Sequence, residues 1–151
     1  MTEREQISNA IQRTYATFGP VDVLVNCAGY GLMGAIEEAE EEEIRRQFET
    51  NVFGTLAVIQ AMLPYMREQR QGHILTLSSM TGFAGVPGYG YYSATKFALE
   101  GMLEALAQEI APLGIRVTIV EPGFFRTSFN ERSAIRTKHK IDDYTALLIS
   151  T

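Results

Sequence analysis

Residues 21–26 read V-D-V-L-V-N. The run is short, rich in β-branched residues, and bounded by Gly19-Pro20 before it and A-G-Y-G after it, which marks a buried strand over Val21–Asn26. On its amino-terminal side Ile7, Ala10, Ile11, Tyr15 and Phe18 recur at helical spacing, predicting a helix over 3–18 that Gly19 and Pro20 stop. On its carboxyl side a glycine-rich turn leads to a long stripe of Ile44, Phe48, Val52, Leu56, Ile59, Leu63 and Met66, in steps of three and four. That stripe predicts helix to about Arg70, with Gly54 and Pro64 as places for a bend. Six glutamates between Glu37 and Glu43 stand at its start, where negative charge complements the helix dipole.

The same alternation repeats twice. H-I-L-T-L-S-S (73–79) is a second buried strand, followed by a loop carrying Gly82, Gly85, Pro87, Gly88 and Gly90. A helix is predicted from about Tyr91 to Leu113, with Ala94, Phe97, Ala98, Leu103, Leu106 and Ile110 apolar. Gly114 closes it, and I-R-V-T-I-V (115–120) is the third strand, broken by E-P-G. Short strands joined by long helices predict an α/β fold: three parallel strands with helices on both faces and right-handed crossovers. Ligands of such sheets bind beyond the carboxyl ends of the strands. Asn26–Gly29, Ser78 with Ser79, and Pro122 with Gly123 all fall there.

The length of 151 residues suits one domain, here 1–151 with a tail from about 128. With 13 basic and 18 acidic residues the net charge is −5, the wrong balance for a nucleic-acid binder. The one basic stretch, Arg132–Lys140, reads as solvated surface. Cys27 is the only cysteine, so neither an internal disulfide nor a cysteine-rich metal site can form, and no metal site is expected. The polar start M-T-E-R-E-Q and the lack of any apolar run near the ~20 residues of a membrane helix make a cytoplasmic location, away from membranes, the expectation.

Two motifs invite over-reading. G-Y-G-L-M-G (29–34) matches G-x-G-x-x-G after a strand, but acidic residues crowd the following helix start, where phosphates would have to sit. The next strand also begins too late for a ~30-residue unit. The stretch Y-Y-S-A-T-K (91–96) holds two possible catalysts. Ser93 and Lys96 form S-x-x-K, the signature of serine acyl-transfer enzymes, which needs S-D-N-type and K-T-G-type partners. S-F-N at Ser128 could pose as the first, and nothing fits the second. Tyr92 and Lys96, four apart, share one helix face. A neighbouring ammonium favours a phenolate and lowers the phenol pKa, which gives an acid/base near neutral pH. Ser79 ends a strand thirteen residues earlier. Asn51 lies within the apolar stripe, and a buried amide needs partners.

Together N-C-A-G (26–29), Asn51 in E-T-N-V-F-G-T, I-L-T-L-S-S, Y-S-A-T-K and E-P-G resemble the short-chain dehydrogenase/reductase family over Val21–Thr127. The resemblance implies the second half of a doubly wound, Rossmann-type sheet and an NAD(P)-dependent oxidoreductase interconverting a small-molecule alcohol and a carbonyl, using either NAD or NADP. It implies that Tyr92 is the general acid/base and that Lys96 lowers its pKa and bonds the nicotinamide ribose. Ser79 would hold the substrate oxygen, and Asn51 would anchor a water in the proton relay. Asn26, Ala28 and Gly29 would line the cofactor, with Pro122, Gly123 and Thr127 at its nicotinamide end. Homo-oligomers through the helices at about 41–70 and 91–113 are implied too. The family's first strands and phosphate-binding turn have no counterpart here, Cys27 replaces the second asparagine of N-N-A-G, and the substrate-covering segment is short. An incomplete chain is therefore expected, with Val21–Asn26 as an unpaired sheet edge. The alternative is a catalytically inactive fragment whose helices serve only subunit association.

Overall fold

A computed structural model describes residues 3–123, 125–126, 129 and 133–146. Helix α1 (Arg4–Phe18) ends at Gly19, whose φ of 78° only glycine adopts without strain and whose N–H bonds the Tyr15 carbonyl. Strand β1 (Val23–Asn26) and the short strand β2 (Gly31–Met33) follow. Helix α2 (Glu41–Phe48) runs through a π-helical turn, Glu49–Gly54, into α3 (Thr55–Gln69). Then come β3 (Gly72–Leu77), α4 (Gly90–Ile110), β4 (Ile115–Val120) and β5 (Ala134–Arg136). The expected bend at Gly54 coincides with the end of the π turn, while α3 continues through Pro64.

The expected parallel sheet is present, in the order β1-β3-β4. Among the described residues, β1 is an edge strand with only β3 beside it. Register puts Leu24, Ile74 and Val117 in one row and Asn26, Thr76 and Ile119 in the next. These rows face a core built by Ile7 and Ile11 of α1, Ile59, Met62 and Met66 of α3, and Leu99, Leu103 and Ile110 of α4.

The helices therefore cover one face, not the expected two. The crossovers β1→β3→β4 step in one direction, and crossovers of one hand stepping one way lie on one side of the sheet. On the other face Val23 and Val25 stay about half exposed, at 49% and 54%, and His73 shares a hydrogen bond with Thr118. Helix α1 joins the covered side by packing on α3. The Tyr15 and Tyr65 rings lie 4.3 Å apart, and the Tyr15 hydroxyl donates to Gln69 at 2.6 Å. Phe18, counted in the apolar stripe, points outward, as does Phe97 of α4.

The glycine-rich turn after β1 is not a free loop. Gly31–Met33 pairs in parallel with Ala134–Arg136, and a Cβ on Gly34 would collide with Thr137. Residues 134–141, within the segment read as a tail, are thus part of the fold. The acidic run explains how it is held. Glu38, 2% exposed, accepts from Ala35 N–H (2.7 Å) and Ile141 N–H (2.8 Å) with its two oxygens. Glu43 does the same for Glu40 N–H (3.0 Å) and Lys138 N–H (3.2 Å). Glu40 pairs with the Lys138 ammonium at 2.9 Å, and Tyr144 donates to Glu37 at 2.7 Å. Arg136, Lys138 and Lys140 are exposed, as expected for solvated surface, but the backbone at Lys138 and Ile141 is clasped.

Two backbone donors, Ile141 first and then Ala35, hold the Glu38 carboxyl below the usual 4.5. A depressed carboxylate stabilises the fold above its unfolded value, and that contribution disappears as pH falls through the folded value. Hydrogen exchange at the Ile141 amide should therefore accelerate as pH drops below 4.5 after correction for intrinsic rates. Glu38→Gln, which replaces one acceptor by a donor, should produce the same loss of protection at pH 7.

Candidate active site

Strand β3 delivers its last residues to the carboxyl edge of the sheet, where the Ser78 N–H still bonds the Val120 carbonyl of β4 (2.7 Å). Ser79, in extended conformation, caps the 3-10 turn Met80–Gly82 by accepting from Thr81 N–H at 3.2 Å. The loop from 83 to 89 then brings the chain back, and α4 starts at Gly90. Its first two turns carry Tyr92, Ser93, Thr95 and Lys96, all buried.

Ser79 is near enough to the Tyr92 hydroxyl for its side chain to favour the phenolate, and the Lys96 Nζ lies 5.5 Å from the centre of the Tyr92 ring. These three predicted residues are brought together. Lys96 Nζ donates to the Leu77 carbonyl at 2.7 Å. Burial pulls its pKa down to about 8, against Glu100 and Cys27, which push it up. Burial likewise raises Tyr92 above 10.0; Ser79 opposes this and Tyr89 adds to it. The phenol is therefore shifted up in this structure, whereas the four-residue spacing led to an expectation of the reverse. Ser93, the alternative nucleophile, is 3% exposed, and its hydroxyl makes no hydrogen bond to Lys96.

Asn51 sits on the π turn and is 1% exposed. Its Oδ1 accepts from Tyr30 N–H (3.0 Å), and its Nδ2 donates to the Tyr30 carbonyl (2.8 Å) and to Thr95 Oγ1 (3.1 Å). Thr95 in turn donates to the Tyr92 carbonyl at 2.7 Å. The amide therefore links the loop after β1 to the helix turn carrying Tyr92. Its own carbonyl accepts from Thr55 at 2.9 Å. Gln47, Asn51 and Thr55 form a buried polar row on that helix, and the Gln47 amide also reaches the Tyr30 carbonyl, at 3.2 Å.

At the strand ends, Asn26 is buried and donates to Thr76 Oγ1 at 3.3 Å, while Cys27 and Ala28 are exposed. A Cβ on Gly29 would press on Asn51 Oδ1 at 3.2 Å. Pro122 is half-buried, and Gly123 is exposed with Met80 as its neighbour. Thr127 lies outside the described residues. Missed by sequence reasoning are the rings flanking Tyr92: Tyr89 edge-on at 6.2 Å and Phe129 at 5.8 Å. Tyr89, three residues before Tyr92 and at the helix start, was the legible one. Among the described residues, no group of three or more His, Cys, Asp or Glu could hold a metal ion, and no helix is long and apolar enough to cross a membrane.

The family model described as short chain dehydrogenase matches residues 1–137. The chain belongs to the short-chain dehydrogenase family. It is 44% identical over 135 residues to a 3-ketodihydrosphingosine reductase of Bacteroides thetaiotaomicron, covering 89% of this chain and 50% of that protein. A short-chain dehydrogenase structure from Streptomyces avermitilis superposes with a TM-score of 0.91 at 43% identity, covering 99% of this chain and 56% of that one. ElxO with NADP bound (34%, TM-score 0.79) covers 82% of this chain and 50% of its own. An NAD+-bound xylitol dehydrogenase (30%, TM-score 0.82) covers 85% and 50%. The chain spans about half the length of the curated relatives it matches.

The loops 26–29 and 121–123 stand open at the strand ends, with the Lys96 donor and the Tyr92 phenol between α4 and β3. The Gly29–Gly34 stretch is not available as a phosphate cradle, since Gly31 is paired with Ala134 and Gly34 is packed on Thr137. Replacing Asn51 by Ala should cost about 1–3 kcal/mol, because it strands the Tyr30 N–H and leaves the Tyr30 carbonyl with Gln47 alone. Urea unfolding of that variant measures it. Ser93→Ala, which removes a hydroxyl with no hydrogen-bond partner among the described residues, should leave stability unchanged or raised.

Proposed function

We propose that the protein to which this chain belongs interconverts an alcohol and a carbonyl with NAD(P)(H), Tyr92 moving the proton on oxygen. The observation that carries this reading is the cluster of half-buried Ser79 with buried Tyr92 and Lys96 at the carboxyl end of a parallel sheet. Ser79, against the phenol, is suited to hold the substrate oxygen beside it. A phenol raised above 10.0 is protonated at neutral pH, which is the form that donates to a carbonyl oxygen being reduced. The reverse reaction needs the phenolate and should quicken as pH rises. Asn51 positions Tyr92 through Thr95, since its own amide is fully engaged with Tyr30 and Thr95.

The cofactor supplies or accepts the hydride, and the protein supplies position and charge. Asn26, Ala28 and Gly29 on one side, Pro122, Gly123 and Thr127 on the other, and Lys96 between them would hold its nicotinamide end. Either NAD or NADP suits these residues. The substrate should be apolar beside its reacting oxygen. Tyr89 and Phe129 flank the phenol, and Met80, Phe83 and Phe125 are exposed apolar side chains on the neighbouring strand-end loops. A relative named as a reductase of a keto-sphingoid is in keeping with this. Association of copies through α3 and α4 would bury the exposed Phe53 and Phe97.

The second reading, a fragment acting only through association, draws on the half-length coverage and the uncovered sheet face. Titration of the chain with NADH and NADPH, with sedimentation in parallel, separates the two. Binding supports the enzyme reading; a dimer that binds neither supports the other. The chain fused to the amino-terminal half of a family relative should reduce apolar ketones, and Tyr92→Phe should lower kcat by ~10²–10⁴. Lys96→Ala should do comparable damage and Ser93→Ala little. Activity lost in Ser93→Ala but kept in Tyr92→Phe would sink the assignment.

A further inference from the structure

The two aromatic rings beside the phenol hang from one small unit. Strand β2 pairs with β5, and a bond from the Thr137 N–H to the Met33 carbonyl (2.9 Å) follows directly after. A Cβ on Gly31 would touch the Phe129 ring at 3.5 Å and the Ala134 Cβ at 3.7 Å, so this ring lies beside β5 on β2. Its centre is 5.8 Å from that of Tyr92. Just past β2 the Gly34 N–H bonds the Gly88 carbonyl at 2.9 Å, next to Tyr89, the second flanking ring. Two paired strands of three residues are marginal by themselves, so β5 needs a further anchor.

The carboxylates of Glu38 and Glu43 supply it. Each spends one oxygen on its own helix start, Glu38 on the Ala35 N–H and Glu43 on the Glu40 N–H. Each turns the other oxygen to the segment after β5, to the Ile141 N–H and the Lys138 N–H. Capping accounts for the first oxygen only. The second is bonded in the same way at both glutamates. At 2% and 8% exposure these are enclosed, charge-assisted bonds, whereas the Lys138–Glu40 ion pair is exposed and contributes little.

We propose that Glu38 and Glu43 are positioning residues of the site: through the backbone at Ile141 and Lys138 they seat the Phe129 ring against Tyr92, and so set the apolar wall that the group beside the reacting oxygen must fit. This rests on Tyr92 acting on that oxygen. Neither glutamate touches the phenol. They act through β5 and Phe129, and the bonds that matter are those to backbone N–H groups rather than to side chains.

With ring-labelled phenylalanine and tyrosine, and with Phe129→Leu and Tyr92→Phe to assign the signals, NMR of the chain should show a cross-peak between the Phe129 and Tyr92 rings. It should disappear in Glu38→Gln/Glu43→Gln, whose amides can serve the helix starts or the segment after β5 but not both. It should disappear equally in Lys138→Pro/Ile141→Pro, which removes the two N–H donors and leaves both glutamates on their helix starts. The control Lys138→Ala/Tyr144→Phe loses only the exposed side-chain contacts to Glu40 and Glu37, and should keep it. Where the ring leaves, the phenol is less buried, so the Tyr92 titration midpoint should move down toward 10.0 in the same two variants. A cross-peak absent from the unsubstituted chain, retained in either of those variants or lost in the control overturns the proposal, and so does an unmoved midpoint. Should the glutamine pair not fold, the proline pair decides, since its changes lie outside the three-stranded sheet and the helices packed on it. No turnover is read, so failure here leaves the assignment of Tyr92 standing.

Discussion

A single buried amide ties the site together. Asn51 bonds both backbone groups of Tyr30 and the hydroxyl of Thr95, and so fixes the loop after β1, the π turn and the first turns of α4 relative to one another. A regular helix places only one residue per turn toward a given neighbour. The π turn at Glu49–Gly54 aims Asn51 inward while leaving Gln47 and Thr55 buried above and below it. Removing the amide would leave the Tyr30 N–H unmet and its carbonyl with Gln47 alone, which is dearer than the lost bonds themselves are worth. The helix turn that carries Tyr92 is thus held by a residue whose side chain is given over to structure.

Much of this was legible in the sequence, for definite reasons. The three strands are short and β-branched, so they differ from the periodic helices around them. Tyr92 and Lys96 are one helical step apart, and Asn51 stands out because it interrupts an apolar stripe. Less was legible where the partner lies far along the chain. Gly31–Met33 looks like a turn until Ala134–Arg136 arrives beside it. The glutamates of 37–43 look like a dipole complement. Nothing in their spacing reveals that Glu38 and Glu43 also receive the backbone N–H groups of Ile141 and Lys138. The upward shift of Tyr92 comes first from burial, a property of the whole fold that residue spacing does not carry, and the Lys96 amine is turned to the Leu77 carbonyl.

The acidic clasp and the Tyr92–Lys96 pair are also connected in space. The segment that Glu38, Glu40 and Glu43 hold follows Phe129, whose ring packs against Tyr92. Surface electrostatics on α2 and the apolar wall of the site are therefore two ends of one short piece of chain.

The parallel sheet has a consequence for how the molecule is made. Asn26 and Thr76, side by side in β1 and β3, are 50 residues apart in the chain, so no sheet contact can form until a whole helical crossover has been ordered. Such non-local closure is slow compared with the helices, which form from neighbouring residues. During that interval Val23 and Val25 sit on a strand with no partner, and even afterwards β1 keeps one side unpaired among the described residues. The same parallel pairing makes its first strand wait for β3 during synthesis, and so leaves it open to mispairing on the ribosome or in refolding.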